Sequence, residues 1–377
     1  MSTNPQIRSI CVHPEHIGRH TSNTISALHF FATQNNIPLS YDKAPSCFTD
    51  SFHPGVTFVH FQLTNDQTIK ACYDMADWPQ IASTTHLEHC DIYLKRSYLP
   101  EEINKLPSSL RAKILPYGLY FPFSPLSLKH ELLSYWSAIR SSNARSTSDL
   151  KEAALKGIWD TTRYILKNDP PFTPLHKLES IQGGENTILF QVRLWDPKQH
   201  SSNHSKTVDQ INQTRMNIVR ALKSNFPTKF VGGITPTPYS EKICPELHTT
   251  LSPTPKNYIS LLAQSKIVIA EEGLHGTHGA KLGEYFAAGR CILSEPSFYT
   301  LPHQPRDGVD YLEFTTPEKC VELVNDLLAN PSKIDELISN ARNLYKEKLN
   351  PVTATTSPIY NFLSANFSNE SRDPITS

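Results

Sequence analysis

The second half of the chain alternates short apolar runs with longer amphipathic stretches, and this alternation constrains the fold more than any other feature. Runs of strand length, rich in β-branched residues, lie at 186–195, 229–234, 266–270 and 291–295. Between them apolar residues recur at helical spacing, as in 208–224. Strands separated by helical crossovers are typical of a parallel α/β sheet, which we predict here.

The first half shows a similar alternation, with predicted strands at 7–13, 56–63 and 91–98. A chain of 377 residues is long enough for two cores, and three prolines within 168–174 interrupt the pattern. We therefore predict an α/β protein with two Rossmann-like domains facing each other across a cleft. The predicted divisions are a domain with a helical extension at 1–170, a linker at 171–185, a second domain at 186–350 and a tail at 351–377 that packs back on the first domain.

Composition excludes several classes of function. The chain has 36 Lys and Arg against 36 Asp and Glu, so a net charge of zero gives no basis for nucleic-acid binding. No apolar stretch reaches the length of a transmembrane helix and no signal peptide is recognisable, so we expect a cytoplasmic protein without a transmembrane segment. The seven scattered cysteines form no CxxC pair, which argues against a zinc site or a disulfide framework.

Five of the 14 glycines fall within 270–293, between the predicted strand 266–270 and a predicted helix that begins near Ala280. Glycine there allows backbone N–H groups to approach a ligand, and the N-terminus of a helix favours an anion. The stretch therefore predicts a phosphate-binding turn, although it matches neither the dinucleotide fingerprint nor the P-loop. A merely flexible loop is the alternative.

Two cations follow the first strand of the second half, in the sequence RLWDPK. Arg193 and Lys198 would lie at the carboxyl edge of the sheet, where open α/β sheets bind ligands. The turn predicted at Asp196-Pro197 would let both side chains converge on one anion. A solvated basic loop is the alternative.

The order of these motifs resembles the donor-binding half of group 1 glycosyltransferases of the two-Rossmann, or GT-B, type. The resemblance covers 186–350 and rests on Arg-Leu-x-x-x-Lys, the Gly-rich turn and the sequence LGEYFAAGRCIL that follows it. It implies that the first domain holds an acceptor and the second a nucleotide sugar. The residues it assigns to the donor are Arg193, Lys198 and Gly279 at the diphosphate, and Glu284 at the ribose. Gly276, in the same turn, is also expected at the diphosphate.

One position departs from the family pattern. The family's first Glu, eight residues before the second, falls on Gly276. The contact to the donor sugar is therefore expected from Glu272, His275 or His278. This turn resembles divergent, CgeB-like or exostosin-like members, and it leaves retention or inversion of stereochemistry open.

Sugar transfer also needs a positioned acceptor hydroxyl and, in an inverting enzyme, a base. The stretch HPEHIGRH follows the first predicted strand and offers Glu15, His16 and His20 as candidate catalytic residues. Surface-loop residues are the alternative reading. His60 and Asp66, near the end of the second predicted strand, are weaker candidates for the same cleft.

The sequence thus predicts a glycosyltransferase, of the EC 2.4 class, that moves a sugar from a UDP- or GDP-sugar to a hydroxyl of a glycan or other acceptor. No cofactor is expected, and the absence of an Asp-x-Asp motif leads us to expect no required metal. The alternatives are a nucleotide-sugar epimerase or hydrolase of the same fold, and a non-catalytic sugar-nucleotide-binding protein.

Overall fold

The computed structural model describes residues 5–14, 20–42, 55–124, 155, 173–200 and 202–367. The chain divides into two compact units. Unit 1 comprises residues 1–171, 300–302 and 350–377, and unit 2 comprises residues 172–299 and 303–349. None of the helices in the described ranges is long and apolar enough to cross a membrane.

Unit 1 is built around a six-stranded sheet with the strand order β2-β1-β3-β4-β5-β6. Its described elements are β1 Ile7–Pro14, α1 Ser22–Gln34, β2 Leu39–Tyr41, β3 Val56–Leu63, β4 Thr68–Asp74, α2 Thr84–His89, β5 Ile92–Lys95, α3 Pro100–Ile103, α4 Ser108–Arg111, β6 Ile114–Pro116, β7 Phe123–Ser124 and, after unit 2, α12 Pro351–Phe367.

This sheet is mixed, whereas the alternation in the sequence suggested a parallel one. Strand β3 pairs antiparallel with both β1 and β4, and the other neighbours are parallel. Only residues 64–67 join β3 to β4, and a connection this short can form a hairpin but not a parallel crossover. Because β3 runs the other way, its end at Leu63 lies at the opposite edge from the carboxyl ends of β1, β4 and β5.

The last helix, α12, completes unit 1. It packs against α1, and its residue Thr355 receives two buried tyrosine hydroxyls. Tyr73 donates to the Thr355 carbonyl over 2.9 Å, and the Tyr117 hydroxyl lies 2.6 Å from Oγ1 of the same residue. Only a short helix near 359–367 is evident from the sequence, so the helix is longer than expected.

Unit 2 has a five-stranded sheet in which every pair of neighbours is parallel. Its described elements are β8 Thr173–Pro174, α5 Leu175–Glu179, β9 Glu185–Val192, α6 Ser202–Asn225, β10 Phe230–Ile234, α7 Ser240–Ile243, α8 Pro255–Gln264, β11 Ser265–Ala270, α9 Ala280–Ala287, β12 Cys291–Ser294, β13 Leu312–Glu313, α10 Pro317–Ala329 and α11 Pro331–Leu344.

The strand order of unit 2 is β10-β9-β11-β12-β13, the doubly wound order in which the direction of strand addition reverses between β9 and β11. Apolar residues of β9, β11 and β12 form one core with α6, α10 and α11. The predicted Rossmann-like domain is confirmed for this half, and the α/β class is confirmed for the chain. Ligands of such sheets bind beyond the strand ends at the reversal, which we call the switch point.

Candidate functional site

The loop after β9 leaves the sheet at the switch point and carries the predicted cation pair. The Asp196 carboxylate accepts a hydrogen bond of 3.0 Å from the backbone N–H of Lys198, which forms the predicted turn. Arg193 and Lys198 are both exposed. Among the described residues, neither side chain forms an ion pair or a hydrogen bond, so both cations are available to a ligand.

The Gly-rich turn follows β11, on the other side of the switch point. Its two ends, Glu272 and His278, form an antiparallel bridge. Between them His275 and Gly276 both adopt left-handed backbone conformations, with φ of 61° and 72°. The Tyr299 hydroxyl donates to the His275 carbonyl over 2.6 Å and so anchors the strained part of the turn.

Gly276 cannot be replaced without displacing its neighbours. A Cβ atom there would lie 2.9 Å from the ring of Phe298 and 3.1 Å from Oε1 of Glu272. Gly279 follows as the N-cap of α9, and a Cβ there would lie 3.2 Å from the Glu271 carbonyl. The two glycines thus allow the backbone to fold tightly just before the N-terminus of α9. They also leave no Cβ between the backbone and a ligand.

Glu284 lies on α9 beside two tyrosines whose hydroxyls are buried. Burial raises the pKa of Tyr258 and of Tyr285 well above the usual value, and the neighbouring Glu284 carboxylate adds to both shifts. The phenols therefore stay protonated beside this carboxylate. A half-buried carboxylate held in this way has the chemistry to accept hydrogen bonds from ribose hydroxyls.

Three glutamates lie at the strand ends, and they have different surroundings. Glu271 pairs with Arg215, Oε1 to Nη2, over 3.2 Å. The backbone N–H of Glu272 donates to Oε2 of Glu295 over 2.9 Å. Burial raises the pKa of Glu272 and of Glu295, and nearby carboxylates raise that of Glu295 further. Glu272, which lies over Gly276, is therefore better placed than Glu271 to contact a ligand on the turn.

His275 and His278 are both half-buried in the turn. His278 also lines a crevice that includes Leu282, Phe286 and Glu295. The crevice has about 10 Å³ of water-accessible space, room for roughly one water molecule. A sugar would therefore have to lie on the outer surface of the turn rather than within the crevice.

Two of the three predicted catalytic residues, Glu15 and His16, lie outside the described residues. The third, His20, is exposed and stacks on Tyr120, with ring centroids 5.5 Å apart. Asp66 is the clearest error among the weaker candidates. It follows the antiparallel strand β3 and so lies at the opposite edge of the sheet from the residues that follow β1, β4 and β5.

His20 belongs to a polar cluster built from the loops that follow β4 and β5. Arg96 pairs with Asp77 and lies 4.2 Å from the Tyr120 ring centroid. Its Nη1 atom is also 3.5 Å from Nδ1 of His20. Because a guanidinium only donates, Nδ1 must be the acceptor, which leaves the proton of a neutral His20 on Nε2. In this state Nε2 is a hydrogen-bond donor.

Sequence reasoning missed Arg215 and Lys281, which lie beneath the two loops of the switch point. Each lies on an amphipathic helix, and no local motif distinguishes such a cation from a solvated one. Arg290 lies between α9 and β12, where the sequence predicts a side chain that faces either solvent or the carbonyls of the helix end, and it is fully buried. Its Nε lies 3.1 Å from the Ala288 carbonyl and 3.0 Å from that of Gly289, so the helix-end reading is the correct one.

Within the described residues no group of three or more His, Cys, Asp and Glu side chains could hold a metal ion. The six cysteines in these ranges are free thiols, and all except Cys11 are buried.

A family model described as "Glycosyl transferase-like" matches residues 214–352. No curated protein matches the chain. Among solved structures, HepE of Anabaena in complex with UDP and glucose is similar at 11% identity, with a TM-score of 0.38, over 94% of this chain and 98% of that one. A glycosyltransferase from Rickettsia africae is similar at 10% identity, with a TM-score of 0.42, over 92% and 82%.

The C-terminal domain of the group 1 glycosyl transferase LpcC from Francisella tularensis is similar at 11% identity and a TM-score of 0.32, over 44% of this chain and 86% of that domain. Likenesses this distant carry no argument of their own. The family match is independent of them, and it spans the Gly-rich turn, α9 and the helices that follow. Residues 214–352 therefore form a glycosyl transferase-like domain, as the motifs in the sequence predicted.

Proposed function

We propose that this chain transfers a sugar from a nucleotide diphosphosugar to a hydroxyl acceptor, with the donor diphosphate bound at the switch point of unit 2. One observation carries the proposal. Arg215 binds both the carbonyl of Arg193 and the carboxylate of Glu271, so the loop with exposed cations and the Gly-rich turn are adjacent. Cations on one side and backbone N–H groups on the other form a suitable environment for a diphosphate.

In this arrangement Arg193 and Lys198 neutralise the diphosphate, and the backbone around Gly276 and Gly279 donates hydrogen bonds to it. These contacts strengthen as negative charge develops on the leaving nucleoside diphosphate, which is the main electrostatic requirement of glycosyl transfer. Glu284 binds the ribose.

The donor sugar would lie on the turn, within reach of Glu272, His275 or His278. A raised pKa makes Glu272 suited to bind hydroxyls either as an acceptor or, when protonated, as a donor. The acceptor would bind at unit 1, where Glu15, His16 and His20 are the candidates for activating its hydroxyl. We propose that the reaction requires neither a cofactor nor a metal ion.

A binding experiment tests the proposal. Thermal-shift assays with UDP-, GDP-, ADP- and dTDP-sugars should identify a nucleotide that raises the Tm. Calorimetry should then show affinity at least about tenfold lower in Arg193→Ala and Glu284→Ala, in line with the loss of a charge-assisted contact. Arg220→Ala is the matched control, since Arg220 is an exposed cation on α6 that, among the described residues, contacts Glu246 and Asn217 and no residue of the candidate site.

Product analysis separates the proposal from its alternatives. Release of a nucleoside diphosphate that depends on an added hydroxyl acceptor identifies a transferase. Release without acceptor identifies a hydrolase, and conversion of the sugar without release identifies an epimerase. Binding with no turnover under any acceptor tested would favour a non-catalytic sugar-nucleotide-binding protein. Unchanged affinity in both variants would remove the basis of the proposed site.

A further inference from the structure

We propose that Arg215, Glu271 and Lys281 form a positioning bracket, which holds the two loops of the switch point at the spacing that a diphosphate requires. The inference rests on the proposed function and assigns to it three residues that need not touch the ligand. The name bracket is used below for these three side chains.

Arg215, on α6, makes three contacts at the switch point while being only 5% exposed. Its Nη1 atom donates to the carbonyl of Arg193 over 2.7 Å, and Nη2 lies 3.2 Å from Oε1 of Glu271. Its guanidinium also lies 4.1 Å from the ring centroid of Trp195. One planar side chain therefore fixes the backbone of the cation loop against the first residue after β11.

Lys281 makes the corresponding contact from the other side of the reversal. It lies on the first turn of α9, and its Nζ donates to the carbonyl of Gln191, near the end of β9. The ammonium is 5.8 Å from the centroid of the Phe190 ring. Helices that follow two different strands thus each place a cation on a carbonyl at the end of β9.

The Glu271 carboxylate attracts both cations. Burial lowers the pKa of both Arg215 and Lys281, and in each case attraction to Glu271 is the largest opposing contribution. The carboxylate therefore holds both side chains in their charged, donating state. Without it, Arg215 would keep only the weaker attraction of Glu295, Lys281 only that of Glu284, and the two cations would still repel each other.

Stability alone does not explain this arrangement. Buried ion pairs lose about as much by desolvation as they gain by attraction, and apolar residues of similar size are often as stable. Here two polar atoms, Nε of Arg215 and Oε2 of Glu271, are buried without a hydrogen-bond partner in the described part of the chain. A cluster with this energetic penalty at a ligand-binding edge is explained if it fixes the geometry of the loops.

The bracket supports the phosphate-binding loops and leaves other contacts of the donor untouched. Loosening it should therefore weaken a ligand through its diphosphate and leave binding of the nucleoside nearly unchanged. A residue that serves only the stability of the domain would affect both ligands alike.

The test compares a nucleoside diphosphate (UDP, GDP, ADP or dTDP) with its own nucleoside, using the pair whose diphosphate binds the wild type most tightly. Arg215→Lys keeps the charge but cannot reach both Arg193 and Glu271, because lysine lacks the two-pronged guanidinium. We expect the Kd for the diphosphate to rise about tenfold or more, and that of the nucleoside to stay within about twofold. Arg220→Lys, on the exposed side of the same helix, is the control and should change neither.

A second variant keeps the test informative if Arg215→Lys fails to fold. Lys281→Met removes the contact to Gln191 and leaves the Arg215–Glu271 pair intact, and the same selective loss of diphosphate affinity is expected. Unchanged diphosphate affinity in a folded variant, or equal loss of diphosphate and nucleoside, would overturn the inference while leaving the proposed function standing. If the wild type binds none of UDP, GDP, ADP and dTDP, the proposed function itself is wrong and the inference falls with it.

Discussion

The Nζ atom of Lys95 lies 3.0 Å from Oδ2 of Asp74, and neither side chain has any solvent exposure. The two residues end the neighbouring parallel strands β5 and β4 and are paired in register. The same carboxylate accepts a 2.7 Å hydrogen bond from the Tyr93 hydroxyl and bonds of 3.0 Å from the backbone N–H groups of Ala76 and Ala82. Asp74 thereby links β4, β5 and the loop that leads towards α2.

Replacing Lys95 should therefore destabilise unit 1 strongly. Lys95→Met leaves a buried carboxylate without its counter-charge, and we expect a loss of about 3–5 kcal/mol in the free energy of unfolding. Urea denaturation provides the measurement. Lys105→Met is the control, because the Lys105 ammonium pairs with Glu102 at the surface and should contribute less than about 1 kcal/mol. A loss that small for Lys95→Met would show that the buried pair is dispensable.

A second prediction concerns the pH dependence of stability. Nε2 of His13 lies 3.1 Å from Nδ1 of His60, and burial followed by the charge of His13 lowers the pKa of His60 to about 4. Since the folded-state pKa lies below the unfolded value of about 6.5, the unfolded chain takes up the proton first. Stability should be full above pH 6.5 and should fall as the pH drops towards 4.

After allowance for its partial exposure, His60 should account for about 1–3 kcal/mol of this loss. Chemical denaturation at pH 7, 6, 5 and 4.5 gives the slope. His60→Gln should flatten the dependence in this window, whereas His89→Gln, at an exposed site, should leave it unchanged. A wild-type curve with no decline between pH 6.5 and 4.5 would contradict the assignment.

A third prediction tests whether the shape of the Gly-rich turn is needed for ligand binding, apart from the loss of stability that backbone strain alone would cause. Gly276→Ala places a side chain on a residue of positive φ, with its Cβ only 2.9 Å from the Phe298 ring, so the turn or that ring must move. We expect nucleotide-sugar affinity to fall about tenfold or more, together with a loss of about 1–3 kcal/mol in stability. Calorimetry and thermal denaturation measure the two effects.

The matched control for this variant is Gly308→Ala. Gly308 also has a positive φ, of 75°, but a Cβ there meets nothing within 4 Å. It should show the loss of stability without the loss of affinity. Equal affinity in Gly276→Ala and the wild type would show that the turn does not form the donor site.

The fourth prediction concerns Arg290, which fastens the end of α9 to distant parts of unit 2. Its Nη1 atom donates to the carbonyls of Gly183 and Ser265, over 2.9 and 3.3 Å. Arg290→Met should remove a donor from each of these carbonyls and from that of Gly289, at a loss of about 2–5 kcal/mol. A decrease of several degrees in Tm is the expected readout. Arg290→Lys should recover only part of it, because lysine cannot bond in two directions.

The sequence alone predicted the elements whose structure depends on residues close together in the chain. Strand β11, the Gly-rich turn and the start of α9 were predicted within one residue, since an apolar run, a cluster of glycines and a helical period are local signals. Strand β4 was missed. Its residues 68–74 mix charged, apolar and polar side chains, and what makes them a strand is pairing with β3 and β5.

The candidate site divides in the same way. The position of Arg193 and Lys198 at the sheet edge could be predicted because both follow a recognisable strand, whereas their contact with a ligand stays a prediction. Arg215 could not be predicted, because its role depends on helix α6 bringing it to the ends of two strands that lie far apart in the chain. The full burial of Arg290 could not be predicted for a related reason, since the carbonyls of residues 183 and 265 that also enclose it come from distant segments.

The helix α12 belongs to unit 1 although it follows the whole of unit 2 in the chain. During synthesis, Tyr73 and Tyr117 leave the ribosome long before Thr355, the residue to which both of their hydroxyls bind. Domains generally fold in the order in which they emerge. In this protein unit 1 is synthesised first, but its core is complete only after helix α12 has been added at the end. Unit 2 can therefore complete its fold before unit 1 does.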